Sequence, residues 1–378
     1  MNIEKTMPEN WNMKTYIPTT TTLTTTGIHR RTRRRRITGG VVPKTQVPRN
    51  PHTQKLQEKI QKTLPNRVSQ KRPLVFPTET GGRKFTRLNC SPIVRGRRKL
   101  KESCMTDSVL LRIRDEYNRD QTDPNRRIKT ANYKKLWLEL YHRLSDCGDE
   151  SCWLKRIDDA QLRKQIEDEI FAPKHPEEWQ KNPNEWLSNF DIMKVLKQYE
   201  RKYPNFKLLG PTTIDFDSRP ENMGGNCVSN EICHVSLKDL RKKRKTKIAI
   251  VFNLDKHTGR GTHWMSAFID LDDQIIYYFD SAANPVPKEI DQLVERLVQQ
   301  GKSLKPRPLD LKYYTNVPKT HQHSSSECGM YSLFFIITML TGETEFDKSL
   351  TLQEKLDLFT NVKIPDKYVE KYRERYFN

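Results

Sequence analysis

The chain has 378 residues, enough for two or three folded units, yet only 34% are hydrophobic and the mean hydropathy is −0.85, low for a chain folded end to end. Its net charge of +21 is unevenly placed: residues 1–100 hold 23 Lys/Arg and 4 Asp/Glu, a net of +19, so residues 101–378 carry only +2. MNIEKTMPEN lacks the apolar core of a secretory signal, and the longest apolar run, Met330 to Leu340, is too short to span a bilayer, which points away from secreted and membrane-spanning classes.

In chain order, residues 1–103 read as a disordered basic arm. They include a threonine tract at Thr19–Thr26 and an arginine run from Arg30 to Arg36 broken only by Thr32. No stretch keeps helical or strand periodicity for long, although a short helix fits near Gln54–Leu64. Such an arm suits a polyanion such as nucleic acid, because each neutralised phosphate releases counterions; the arginine run also reads as a nuclear-import signal or a solubilising tail.

Composition changes near residue 104. Asp107–Arg119, Tyr133–Leu144 and Asp158–Ile170 repeat apolar residues at helical spacing, making a small, mostly helical accessory region over 104–183. From Trp186 the pattern is mixed. Leu187–Tyr203 is an amphipathic helix started by Ser188 or Asn189, while Ile248–Leu254, His263–Leu271, Gln274–Asp280 and Leu311–Thr315 read as strands. Val286–Gln300 is a helix stopped by Gly301, and Cys328–Leu340 is a buried helix. Sheet and packed helices together make an α+β domain over 184–378.

Seven cysteines, an odd number without a dense framework, are expected to be reduced thiols. Cys147 with Cys152, and Cys227 with Cys233 and His234, lack a second pair at zinc spacing, so no metal is expected.

Cys328 stands between the polar stretch Ser324-Ser325-Ser326-Glu327 and Gly329, with a strongly apolar helix behind it. Helix N-termini favour a thiolate and lower a thiol pKa from about 8.5 into the range of roughly 3.5–7.5. Gly329 is expected to let a substrate approach the backbone closely. His263 opens one strand and Asp280 ends the next, so a tight antiparallel turn sets both at one edge of the sheet, where the carboxylate can fix the tautomer of the imidazole. Gln322, six residues before Cys328, is placed to donate to an oxyanion beside the Cys328 N–H. Singly, each has a plainer reading: a buried cysteine, a structural histidine, a loop glutamine. Together they supply the nucleophile, base, orienting group and donor of a thiol protease, which needs no cofactor.

The series Gly261-Thr262-His263-Trp264, then Tyr277-Tyr278-Phe279-Asp280-Ser281, then Gln322 followed six residues later by Cys328-Gly329-Met330-Tyr331-Ser332 resembles the adenain and ubiquitin-like-protein protease group. The His-to-Asp interval of 17 and the upstream Trp186-Leu187 fit the same pattern, and the resemblance covers about residues 184–345. It implies a papain-like fold of adenain type, a central mixed sheet flanked by helices. It also implies His263 as base, Asp280 as its orienting group, Cys328 as nucleophile and Gln322 in the oxyanion hole. Trp186 and Trp264 would border a narrow substrate channel for a Gly-Gly stretch, although both also read as core aromatics.

The region around Cys147-Gly148-Asp149-Glu150-Ser151-Cys152-Trp153 looks like virion-maturation proteases of large nucleocytoplasmic DNA viruses. That implies a structural polyprotein as substrate, cut after Gly-Gly in the virion or host cytoplasm, with the nucleus as a further location. Gly39-Gly40 and Gly81-Gly82 would then be sites of self-trimming. Two alternatives stay open: an enzyme that deconjugates a ubiquitin-like protein, and an inactive nucleic-acid-binding virion protein. His321 and His323 read as loop polarity, and Arg241–Lys245 as a solvated loop or a polyanion contact.

Overall fold

The computed structural model of the chain describes residues 42–48, 51–64, 85–101, 103–347 and 349–378. The threonine tract, the Arg30–Arg36 run and both Gly-Gly pairs lie outside these residues. The principal helices are α1 (Pro51–Thr63), α2 (Asp107–Arg119), α3 (Tyr133–Arg143), α4 (Ala160–Ile170), α5 (Asn189–Lys202), α6 (Lys288–Ser303), α7 (Cys328–Thr341) and α8 (Leu352–Thr360); α2, α3 and α4 share a core of their own, while α1 and α5 to α8 pack around one sheet. Its strands run in the order β1 (Phe206–Thr213), β2 (Lys247–Asn253), β3 (Trp264–Asp270), β4 (Ile275–Phe279), β5 (Lys312–Thr315). The central pairs β2–β3 and β3–β4 are antiparallel, and the outer pairs β1–β2 and β4–β5 are parallel. The expected mixed sheet flanked by helices is what the chain forms.

Period-two alternation sorts the strands into two packed faces. Ala249, Val251, Trp264, Phe268, Tyr277 and Phe279 share a core with α5, α7 and α8, while Ile250, Phe252, Met265, Ala267, Ile276 and Tyr278 pack on α6. Helix α7 is buried at every position from Cys328 to Leu340, which is why it is apolar all round. It threads through the core and delivers its first residue to one end of the sheet. Among the described residues no helix is long and apolar enough to cross a membrane.

Strand β1 gave no sequence signal because Gly210, at φ +78°, and Pro211 interrupt its alternation, and the register shifts between Leu209 and Thr212. The expected stop at Gly301 is also corrected, since α6 continues to Ser303. A Cβ on Gly301 would lie 3.0 Å from Leu311 Cδ1 and 3.2 Å from the Leu309 carbonyl, so the glycine permits close packing and not helix termination.

The disordered arm through residue 103 is overturned for its described segments. Thr45 N–H donates to the Tyr313 carbonyl at 2.6 Å, laying residues 42–48 beside β5. Helix α1 buries Leu56 and Ile60 on the catalytic core, with Thr53 Oγ1 donating to Asp357 Oδ2 at 2.6 Å. Phe85, Cys90 and Val94 join Trp137 and Trp153 in the core of the helical unit. Charge averaged over a hundred residues concealed these few apolar anchors.

The expectation of reduced thiols is corrected as well. Cys90–Cys104, Cys147–Cys152 and Cys227–Cys233 are disulfides with Cα–Cα distances of 5.1, 5.5 and 6.3 Å, and Cys328 is the one free thiol among the seven. The pairs are local in sequence, and pairing cannot be read from cysteine count alone.

Candidate active site

The antiparallel register that pairs Ser266 with Phe279 brings the start of β3 beside the end of β4. There His263 Nε2 and Asp280 Oδ1 are 2.6 Å apart, with Asp280 fully buried. The Cys328 sulfur is the imidazole's other electrostatic neighbour. Cys328 is only 1% exposed, at the first position of α7, where backbone N–H groups have no partner within the helix.

Burial opposes charge on His263, but the hydrogen bond to Asp280 and the neighbouring Cys328 sulfur outweigh it and push the imidazole up to about 10. Burial likewise disfavours the Asp280 carboxylate. The His263 contact, the Ala282 N–H at 2.9 Å and Asn284 overcome that and hold it below the ordinary carboxylate range. The resting arrangement is an imidazolium between the Asp280 carboxylate and the Cys328 sulfur.

Gln322 is anchored at the same edge. Its N–H and that of His321 donate to the Ser281 carbonyl at 2.9 and 2.8 Å. Its side-chain oxygen accepts from Ser281 Oγ at 2.7 Å, and its amide nitrogen donates to the Ser324 carbonyl at 2.6 Å. An amide carries two N–H donors, so one is left for an oxyanion.

The tryptophans part company. Trp186 lines a cleft of about 1200 Å³ between the helical unit, at Leu88, Asp149 and Phe171, and the loop before His263, at Gly261. Trp264 is 1% exposed and donates from Nε1 to the Leu187 carbonyl at 2.9 Å, so it offers a substrate no surface here and supports the cleft wall instead. Gly329 is likewise explained by packing: a Cβ there would meet Leu187 Cβ at 3.1 Å and Trp264 Cδ1 at 3.3 Å. The expected approach of substrate to its backbone gives way to approach of the cleft wall.

Several contributors escaped sequence reasoning. Asn316 accepts from the Asp280 N–H at 3.0 Å and donates to the Asp280 carbonyl at 2.6 Å, bracketing the carboxylate-bearing residue. The parallel pairing of Tyr278 with Thr315 would have predicted this neighbour once the strands were aligned. Asn284 Nδ2 donates to Asp280 Oδ2 at 2.9 Å from the following turn. Glu327 pairs with Arg373, Nη2 to Oε1 at 2.6 Å, a contact between residues 46 apart that carries no local signal. His321, expected to supply loop polarity, is fully buried, with Nε2 on the Phe359 carbonyl at 2.9 Å and Nδ1 accepting from Ile364 N–H. Burial pushes it down to about 3, so it is neutral. His323 is exposed.

Of the other clusters, Cys227, Cys233 and His234 place their ligand atoms within 4.8 Å of one another, but the two sulfurs are bonded together and Arg219 lies 3.4 Å from the imidazole. Arg241 of the basic run donates to the Arg307 carbonyl at 3.0 Å, which brings exposed Lys242, Lys243 and Arg244 near exposed Lys302, Lys305 and Arg307.

Comparison with known proteins identifies the family of the chain. Residues 231–377 match the C-terminal catalytic domain of the Ulp1 protease family. A protein named as a thiol protease of Acanthamoeba polyphaga mimivirus is 32% identical over 216 residues, covering 55% of this chain and 67% of that protein. A cysteine protease of African swine fever virus is 30% identical over 226 residues, covering 54% of this chain and 78% of that protein, and counterparts from other isolates carry the name SUMO-1 cysteine protease. The crystal structure of an African swine fever virus protease shares the fold, with a TM-score of 0.52 at 21% identity over 78% of this chain and 97% of that one.

Proposed function

From the premise that the chain belongs to the Ulp1 protease family and is a cysteine-type peptidase acting on protein, we propose that it cleaves after Gly-Gly-type sites in viral structural precursors during virion maturation. The observation that carries this reading is the His263–Asp280 contact of 2.6 Å beside a nearly buried Cys328 at the head of α7. A cysteine only 1% exposed favours a substrate whose backbone reaches it without side chains in the way, which Gly-Gly provides.

In this reading the Cys328 thiolate attacks the carbonyl carbon, and the oxyanion takes donors from the Cys328 N–H and Gln322. His263 gives its proton to the leaving amine, then accepts one from the water that releases the acyl group. Asp280 orients the imidazole throughout. Cleavage-site profiling of wild type against Cys328→Ala tests it: Cys328-dependent cuts should fall after Gly-Gly. Cuts that ignore Gly-Gly, or that persist in Cys328→Ala, would sink the reading.

A second reading, removal of a ubiquitin-like protein from lysine, is favoured by the SUMO-1 protease name of African swine fever virus relatives. Faster turnover of a ubiquitin-like fusion than of a capsid or core precursor would decide for it. We further propose nucleic acid as a partner and the virion or viral factory as location. The exposed cations of 241–245 with Lys302, Lys305 and Arg307 support the former, together with the basic composition of residues 1–100.

A further inference from the structure

Glu327, directly before Cys328, is wholly buried, yet its side chain does not cap the helix it precedes. Its carboxylate is gripped at both oxygens by Arg373, Nη2 to Oε1 at 2.6 Å and Nε to Oε2 at 3.2 Å, and that guanidinium is itself 8% exposed. The remaining Arg373 nitrogen donates to the Glu185 carbonyl at 3.2 Å, while the guanidinium lies 4.4 Å over the ring of Trp179. Trp179 Nε1 donates to that same Glu185 carbonyl at 2.9 Å. Next in sequence come Trp186 and Leu187, which line the cleft, and Leu187 packs on Gly329 and receives the Trp264 N–H.

One planar fork therefore joins the turn that carries the sulfur to the segment that forms the cleft wall. A buried ion pair is a poor device for stability alone, because apolar residues of similar size often hold a fold as well or better. Its planar, multidentate geometry suits a fixed spatial relation between two segments.

We propose that Arg373 is a positioning residue, holding the Glu327-Cys328 turn in register with the cleft wall at Glu185–Leu187 so that the sulfur sits where the substrate carbonyl is delivered. The inference rests on the cysteine-peptidase reading of Cys328. Misplacement of a reacting atom by about 1 Å can cost on the order of 10²-fold in rate. Arg373 touches no reacting atom, so its removal should lower kcat more than it raises KM.

The test uses the full chain as wild type, Arg373→Lys, Arg373→Met and the double variant Glu327→Gln/Arg373→Met. Thermal unfolding is followed alongside kcat and KM on a Gly-Gly peptide. Cys328 alkylation by iodoacetamide is compared between wild type and His263→Ala. The expected result is a folded double variant with near wild-type Tm, kcat down by about 10²-fold and KM within a few-fold. Arg373→Lys, which keeps the charge but not the fork, should recover only part of the rate. The double variant matching wild type in kcat would overturn the inference, leaving the pair a stabilising contact only. Should wild-type Cys328 alkylate no faster than in His263→Ala, the peptidase reading fails first, before any Arg373 variant is consulted.

Discussion

Two histidines, His263 partly exposed and His321 fully buried, lie at the same end of the sheet and titrate in opposite directions. His263 contacts Asp280 and the Cys328 sulfur and is pushed up to about 10; His321, whose N–H donates to the Ser281 carbonyl beside that carboxylate, is pushed down to about 3. Burial disfavours the charged imidazole in both. The difference is the partner: two groups able to carry negative charge face His263, whereas His321 meets a backbone carbonyl, a backbone N–H and the cations Lys319 and Lys363. A buried histidine becomes an acid–base group only when the fold supplies counter-charge; otherwise it is a neutral strut, and here the strut supports the loop that carries Gln322.

The sharpest break of this comparison comes from removing the chemistry on one side of it. Cys328→Ala or His263→Ala should leave a folded chain and lower kcat/KM by at least 10³- to 10⁴-fold, roughly the span between a full nucleophile–base set and residual binding catalysis, measured on a Gly-Gly peptide. Asp280→Asn should cost about 10⁴-fold by loss of the correct tautomer and should bring the His263 titration, followed by NMR of the ring protons, down from about 10. Gln322→Ala should lower kcat by about 10²- to 10³-fold with KM nearly unchanged, the size expected for one oxyanion donor.

The smallest effects are on stability, and their signs are opposite. His263 holds its proton in the fold up to about 10 but releases it near 6.5 when unfolded, so its stabilisation is complete below 6.5 and is lost as pH rises toward 10. His321 stays neutral in the fold down to about 3 while the unfolded chain takes up a proton near 6.5, so stability falls as pH drops through that window. Melting temperatures of wild type, His263→Gln and His321→Gln across pH 4 to 10 should show the alkaline slope shrinking in the first variant and the acid slope in the second. Equal slopes in all three would contradict the assignment.

Much of this was legible beforehand because the signals are local. The β3–β4 pair could be read from two apolar runs joined by a tight turn at Asp272-Asp273, and that alone places His263 against Asp280. Helix α7 announced itself by unbroken apolar composition. What could not be read depends on long-range contacts: Asn316 requires the register of β5 on β4, Arg373 meets Glu327 from 46 residues along the chain, and α1, legible as a short helix near Gln54–Leu64, shows its docking on the catalytic core only in the fold. His321 and Gly301 were misread for one reason, since each looks like a loop or stop signal until the residue packed against it is known.

The disulfide pairing leaves a single sulfhydryl for reagents to find. In the oxidised chain a thiol-specific label has one address, and that address is the proposed nucleophile. Reagent uptake thus becomes a headcount: one equivalent per competent molecule before reduction and seven after full reduction and unfolding. A preparation that takes up half an equivalent is half active, so specific rates can be normalised per working molecule before the natural substrate is known.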